Sequence, residues 1–290
     1  MQKKICLITG ANSGIGKASA VQIAEKGFHV IIACRNPSKG QKALQEIRHK
    51  SKSDSIELMH VDMSLQSSVK DLAMNINEKY GVLDVIIQNA AIFDITQKEI
   101  AYTEEKIESI WATNHLGPVL LTELLLSALK RSPQGRIITI ASKGLVAMPF
   151  LQVNLQDPEF QARTFNVTKA YYQSKMAQLM YTYWLSEQLK GTKVTANCIR
   201  VPSVKVDLNK YPDLSKIAKS LYSLKMKFAL SPEDMGRTYA ALAASEEVGE
   251  ITGKYFDEHS SLVKSSKYSI DFNNIERVMD LTMGYIKQRA

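Results

Sequence analysis

The sequence predicts a doubly wound α/β fold, a parallel sheet of about seven strands with helices on both faces. Three observations predict it. Short runs rich in Ile and Val, most of them apolar on both faces, fall at residues 5–9, 29–33, 56–61, 82–87, 136–141, 194–201 and 252–256. Strands read this way when helices cover both sides of a parallel sheet. Between them, residues 14–26, 37–50, 66–80, 99–130 and 168–189 carry helical periodicity, and such alternation implies right-handed crossovers. No Pro/Gly/Ser-rich linker, repeat or low-complexity tract divides the chain, so residues 1–290 read as one domain. Segments near 143–167 and 203–230 interrupt the pattern. Each follows the C-terminal end of a strand, where open α/β sheets bind ligands, and both are read as substrate-loop insertions.

The first strand runs into Thr9-Gly10-Ala11-Asn12-Ser13-Gly14-Ile15-Gly16, and a helix follows. Gly10 permits a tight turn, Gly14 removes a Cβ where a pyrophosphate would approach, and Gly16 lets helix pack closely on sheet. The free N–H groups of the helix N-terminus then face the phosphates. Between a strand and a helix, this glycine triplet points to a dinucleotide site that includes Asn12, Ser13 and Ile15. The second strand ends Ala33-Cys34-Arg35-Asn36. An acidic residue here would accept the ribose 2′-OH of NAD, and Ala33, Cys34 and Arg35 supply none. The Arg35 guanidinium would meet a 2′-phosphate with charge-assisted hydrogen bonds, so NADP is favoured over NAD; the competing reading is a solvated loop charge. The third strand closes at Val61-Asp62-Met63. Asp62 is read as an acceptor for the adenine amino group or as a helix N-cap, a role Ser64 can also fill. The fourth strand ends Gln88-Asn89-Ala90-Ala91, where small residues let a flat cofactor lie against backbone and Asn89 can tie the loop to neighbouring strands.

Tyr171 and Lys175 stand four apart in a helical segment and share one face. A free phenol, with pKa near 10, is a poor acid at neutral pH. A lysine cation one turn away would lower that value and make the phenol a working proton donor or acceptor. Tyr172 faces about 100° away and is the less suitable acid. Ser142 ends the fifth strand, near where a substrate carbonyl would sit. The local sequence Ile140-Ala141-Ser142-Lys143-Gly144 lacks the G-x-S-x-G elbow of a serine hydrolase. Asn114 lies in a long apolar helical stretch, where an unpartnered amide is costly, so it is read as holding a water or kinking the helix. His115 reads as a packed or surface residue rather than a base. Neither an HExxH nor a paired CxxC occurs, and no metal site is expected.

Apolar residues make up 45% and charged residues 23%, which excludes a disordered or fibrous chain. The net charge of +8 is spread without a run of five like charges, so it reads as solubility and not as a nucleic-acid surface. Cys6, Cys34 and Cys198 lie in apolar runs and read as buried thiols. The apolar run 5–8 is too short for a secretory signal and no stretch is long enough to span a bilayer, so a cytoplasmic protein is expected.

Together the 9–16 loop, Asp62, Asn89-Ala90-Ala91, Asn114, Ser142 and Tyr171-x-x-x-Lys175, in that order, resemble the short-chain dehydrogenase/reductase family over residues 1 to about 210. Gly10-Ala11-Asn12-Ser13-Gly14-Ile15-Gly16-Lys17, Ala33-Cys34-Arg35-Asn36 and Ala170-Tyr171-Tyr172-Gln173-Ser174-Lys175 look most like its retinol-dehydrogenase-like members. The resemblance implies a Rossmann-type fold and a catalytic tetrad of Asn114, Ser142, Tyr171 and Lys175. Hydride would pass between nicotinamide and a carbonyl carbon, with Tyr171 protonating the oxygen and Ser142 hydrogen-bonding it. Lys175 would lower the Tyr171 pKa and hold the nicotinamide ribose, while Asn114 would support a water reconnecting Lys175 with solvent. Two departures stand out. Val201-Pro202 and Val206 replace the Pro-Gly and Thr that relatives carry, leaving cofactor contact to backbone through Val204. Gln88 replaces the usual first Asn of the fourth-strand motif.

Leu208, Tyr211, Leu214, Ile217, Leu221, Tyr222, Leu224, Met226 and Phe228 suggest either an apolar lid for a lipophilic substrate or an ordinary packed helix. The helix at 168–189 is apolar around much of its girth, which suggests a homo-oligomer. The expected function is an NADP(H)-dependent oxidoreductase reducing a lipophilic aldehyde or ketone. The alternative is a redox-sensing NADP(H)-binding protein without turnover.

Overall fold

The computed structural model describes residues 3–205 and 229–287. Val206 and the candidate lid residues from Leu208 to Phe228 lie outside them. The strands are β1 (Ile5–Thr9), β2 (His29–Cys34), β3 (Ile56–His60), β4 (Val85–Gln88), β5 (Gly135–Ser142), β6 (Val194–Val201) and β7 (Tyr255–Phe256). Their order is β3-β2-β1-β4-β5-β6-β7, and every pairing is parallel. The chain winds outward from β1 to β3, then from β4 the other way. The switch point between β1 and β4 is where such sheets open a crevice.

Side-chain alternation divides the core. Ile5 and Leu7 point to one cluster, Cys6 and Ile8 to the other. The first face is covered by α3 (Gln66–Lys79), α5 (Gly117–Arg131) and α6 (Val167–Gln188). The second is covered by α1 (Gly14–Glu25), α2 (Pro37–Ser51) and α7 (Pro232–Ala244). Cys6, Cys34 and Cys198 are buried and unpaired. No helix among the described residues is long and apolar enough to cross a membrane.

The helix expected over 99–130 begins only at α4 (Ser109–Trp111). The Glu108 carboxylate accepts from the N–H groups of Ile110 (2.8 Å) and Trp111 (2.7 Å). Ahead of it a turn closes through Thr103 N–H to the Ile107 carbonyl (2.8 Å), with Lys106 at φ 58°. A side chain that satisfies two otherwise orphaned donors outweighs periodicity in placing the helix start. Between α4 and α5, Ala112–Leu116 form a π turn around Asn114, the local distortion that a mid-helix amide suggested.

Three helices of the C-terminal third were not expected. α7 starts at Ser231-Pro232-Glu233-Asp234, a capping box in which Ser231 Oγ accepts from the Asp234 N–H (3.0 Å). Beyond the short α8 (Lys267–Ile270), α9 (Phe272–Lys287) lies across α6 and buries Ile275, Val278, Met279 and Ile286 in the same cluster. The hydroxyls of Tyr183 and Ser265 meet at 2.9 Å on this side of α6. Part of the α6 surface is thus packed against the chain's own C-terminal helix.

Candidate active site

In an all-parallel sheet the strand C-termini share one edge, so residues that end different strands converge there. Gly10 leaves β1 at φ +68°, and a Cβ would lie 2.8 Å from Ala90 Cα. Gly14 turns at φ +56° with open space beside it. At Gly16 a Cβ would lie 2.5 Å from Asn89 Nδ2 and 2.8 Å from the Gly10 carbonyl, so the close approach is between α1 and the ends of β1 and β4. Asn89 Nδ2 donates to the carbonyls of Thr9 (3.0 Å) and Gly10 (3.3 Å), and the Ala90 N–H donates to Thr9 Oγ1 (3.0 Å). Gly16→Ala is expected to displace Asn89 and weaken dinucleotide binding at least about tenfold, about 1.4 kcal/mol. Fluorescence titration with NADPH measures it.

These residues border a cleft of about 400 Å³ lined by Gly10, Asn12, Ser13, Arg35, Asn36, Asp62, Met63, Asn89, Ala90 and Ala91, together with Lys39 and Thr113. Gly14 borders a neighbouring depression beside Lys17, and Ile15 packs against the core. Ser13 precedes α1 without spending its side chain on the helix end. Arg35 is 71% exposed, with Nη1 3.7 Å from Asp62 Oδ2. Asp62 Oδ1 accepts from Ser64 N–H (2.9 Å) and Oγ (2.7 Å) and so builds its own turn. Neither residue caps α3. Glu105 does so from a distant loop, accepting from Gln66 N–H (2.9 Å) and Ser67 N–H (3.2 Å). Asn36 caps α2 by accepting from Lys39 N–H (2.9 Å). Lys39 went unremarked in the sequence, although a second cation four residues after Arg35 was a readable signal.

Beyond this cleft stand the reactive candidates. Asn166 caps α6 by accepting from Lys169 N–H (2.9 Å), which places Tyr171 just inside the helix. Lys175, one turn on, is 2% exposed, and its Nζ donates to the Ile140 carbonyl of β5 (2.9 Å). Burial pulls Lys175 down to about 8. Its Nζ lies 5.9 Å from the Tyr171 ring centre. Burial pushes the Tyr171 phenol up to about 12, Tyr172 adds to the rise, and a hydrogen bond from Ser142 opposes it. The phenol acidified by lysine, expected from the four-residue spacing, is thus not what the fold builds. Desolvation dominates in the resting phenol, and one of the three ammonium donors of Lys175 is taken by a β5 carbonyl. Tyr171 is a protonated phenol through the neutral range.

Ser142, at the end of β5, is buried, and its Oγ accepts from Gly144 N–H (3.2 Å). Asn114 is 1% exposed. Its Oδ1 accepts from Ile92 N–H (2.8 Å), and its Nδ2 donates to the Ile92 carbonyl (3.0 Å) and to Ser174 Oγ (3.2 Å). These bonds fasten the loop after β4 to α6. His115 is fully buried between Gln178 Oε1 (3.2 Å from Nδ1) and Thr282 Oγ1 (2.8 Å from Nε2), and burial pulls it down to about 4. As a neutral ring it is a packed structural group. Gln178 Nε2 donates to Gln88 Oε1 (2.6 Å), and Gln88 Nε2 to the Pro118 carbonyl (2.7 Å). The departure at Gln88 is absorbed in this buried chain joining β4, the π turn, α6 and α9. Val204 bridges to Leu230 through Lys205 N–H to the Leu230 carbonyl (2.9 Å) and Leu230 N–H to the Ser203 carbonyl (3.2 Å), so its own N–H and C=O point away from that bridge.

The family model for short chain dehydrogenase matches residues 4–153. Human retinol dehydrogenase 13 is 34% identical over 257 residues, which span 88% of this chain and 76% of that protein. Human retinol dehydrogenase 14 is 30% identical over 272 residues, 89% of this chain and 79% of that protein. Among solved structures, an uncharacterized protein of Mycobacterium paratuberculosis matches with a TM-score of 0.75 at 25% identity, covering 98% of this chain and 93% of that one. With a parallel seven-stranded sheet and a glycine loop at its switch point, the chain belongs to the short chain dehydrogenase family, as a retinol-dehydrogenase-like oxidoreductase acting on CH–OH/C=O groups with a nicotinamide cofactor.

Proposed function

We propose that the protein is an NADP(H)-dependent carbonyl reductase acting on a lipophilic aldehyde or ketone. The observation that carries this reading is a half-buried Tyr171 one helical turn from the buried Lys175, on the side of α6 that faces Ser142 at the end of β5. The glycine cleft fits a dinucleotide: it is lined by Gly10, Asn12, Ser13 and the 89–91 segment, and the Ser13 side chain at the start of α1 is not spent on the helix end. Gly10, Asn12, Ser13 and the 89–91 backbone would hold its pyrophosphate, and Asp62 and Met63 its adenine. The backbone of Val204, with Tyr171 and Lys175, would hold its nicotinamide end. The bound dinucleotide supplies the hydride.

Tyr171 gives its proton to the carbonyl oxygen. Ser142 donates a hydrogen bond to the same oxygen, stabilising charge as it forms. Lys175, a cation below about pH 8, favours the phenolate left behind. Asn114 keeps α6 and the β4 loop at fixed spacing. A lipophilic substrate is supported by the surroundings of Tyr171. Phe93 lies 4.4 Å from it, ring centre to ring centre, within a cluster that includes Ile92, Ile100, Phe160 and Phe165.

The preference for NADP rests on Arg35 and Lys39 at a strand end without an acid suited to the 2′-OH. The exposed Arg35–Asp62 pair is weak enough to yield to a phosphate. Arg35→Asp is expected to weaken NADPH binding at least about tenfold relative to NADH. An unchanged ratio of the two dissociation constants removes the assignment. The reading as a whole is tested by following NADPH consumption with a panel of apolar and polar carbonyls. Binding of NADPH with no carbonyl consumed favours the redox-sensing alternative.

A further inference from the structure

We propose that Tyr172 is a positioning residue, its ring wedged against Gly144 so that the Ser142 hydroxyl is held pointing at the acid. This inference rests on the reading of Ser142 and Tyr171 given above. Gly144 follows Ser142 by two residues in the turn after β5. Its backbone lies outside the left-handed region, so conformation does not demand glycine there. Space does: a Cβ would meet the Tyr172 hydroxyl first, and would also lie 2.5 Å from Tyr172 Cζ and 2.6 Å from Cε1, contacts that remain when the hydroxyl is removed. The same ring meets Tyr171 edge-on, with centres 5.2 Å apart and planes at 68°. One side chain thus touches both the turn that carries Ser142 and the phenol that Ser142 bonds.

Hydroxyl chemistry gives the contact its consequence. Ser142 has one proton and two lone pairs. Gly144 N–H donates to its Oγ (3.2 Å), which occupies the acceptor side. The proton is left to point at Tyr171 and, during reaction, at the substrate oxygen. If the turn loosens, that N–H no longer fixes the hydroxyl, and Ser142 is free to rotate its proton elsewhere. The adjacent tyrosine, set aside as an acid because it faces away, thereby acts on the reaction through Gly144.

The test is a double-mutant cycle read by turnover and by thermal stability. Gly144→Ala and Tyr172→Ala are each expected to lower kcat about tenfold, consistent with a small misplacement of a reacting group, with dinucleotide affinity unchanged. The double variant should lose no more than either single variant, because the added methyl collides only when the ring is present. Tyr172→Phe, which keeps the ring, should restore most of the turnover lost in Tyr172→Ala. Independently of catalysis, Gly144→Ala should lower Tm in the parent chain and not in the Tyr172→Ala background. Additive losses, a harmless Gly144→Ala, or a Tyr172→Phe as damaged as Tyr172→Ala would overturn the proposal. A parent chain that binds NADPH yet turns over no carbonyl overturns the functional reading instead, and the thermal cycle still judges the wedge.

Discussion

Tyr171→Phe is expected to lower carbonyl reduction by about 10²–10⁴-fold, the usual worth of a positioned general acid. The change removes one oxygen and leaves a ring that still packs on Phe93 (4.4 Å) and Tyr172 (5.2 Å), so the fold should hold. The size of the loss follows from the surroundings. A phenol held at about 12 by burial keeps its proton through neutral and moderately alkaline solution, so the parent enzyme does not run short of acid in that range. Reduction that weakens as pH passes about 8 would report Lys175 losing its charge, not Tyr171 losing its proton. NADPH consumption with a good carbonyl measures both effects. A phenylalanine variant that keeps more than a tenth of parental turnover shows that another group protonates the oxygen.

Lys175→Met is expected to stabilise the chain while destroying most of its activity. The folded protein holds Lys175 at about 8 against an ordinary 10.5. Below pH 8 the lysine is protonated in both folded and unfolded chains, and the folded one bears the full cost of a desolvated cation. Between about 8 and 10.5 the folded chain sheds its proton first and the cost fades. Above that range both forms are neutral and the cost is gone. One pKa unit corresponds to 1.36 kcal/mol, so the penalty at pH 7 is about 3 kcal/mol. Methionine fills a similar volume without the charge, but it gives up the bond to the Ile140 carbonyl, worth about 1 kcal/mol. A gain of about 2 kcal/mol, several degrees in Tm, should appear at pH 7, vanish near pH 10 and turn into a loss of about 1 kcal/mol above it, where only the missing bond to the Ile140 carbonyl counts. Turnover should fall at least about a hundredfold, since the phenolate left after proton transfer loses its counter-charge. A variant that melts below the parent at neutral pH, or a difference that ignores pH, contradicts the account. A stability gain of this kind is the expected signature of a charge kept for chemistry rather than for folding.

The residues that gather at the sheet edge were legible because each sits where a local pattern ends. Gly10, Arg35, Asp62, Asn89 and Ser142 all close or follow an apolar run, and in a parallel sheet those ends share one side. The Tyr171–Lys175 face was legible from helical spacing alone. Less legible was anything set by a partner distant in the chain. Glu105 caps α3 from a loop 39 residues away from Gln66, which no local capping rule could select. The start of α4 was missed because the side chain of Glu108 outranked the periodicity that continued upstream of it. The packing of α9 on α6 likewise joins segments far apart in the chain and was not foreseen.

The sequence by itself determined the order of the strands' ends, the glycine turn and the spacing of the reactive pair, because period and turn chemistry act over a few residues. Only the tertiary structure decided how those groups behave: that the Lys175 ammonium turns to a β5 carbonyl, that the Tyr171 phenol is pushed up rather than down, and that Tyr172 presses on Gly144. Those outcomes depend on which surfaces lose water and which backbone atoms come within reach. Desolvation and contact are properties of the packed whole, set by residues far apart in the chain.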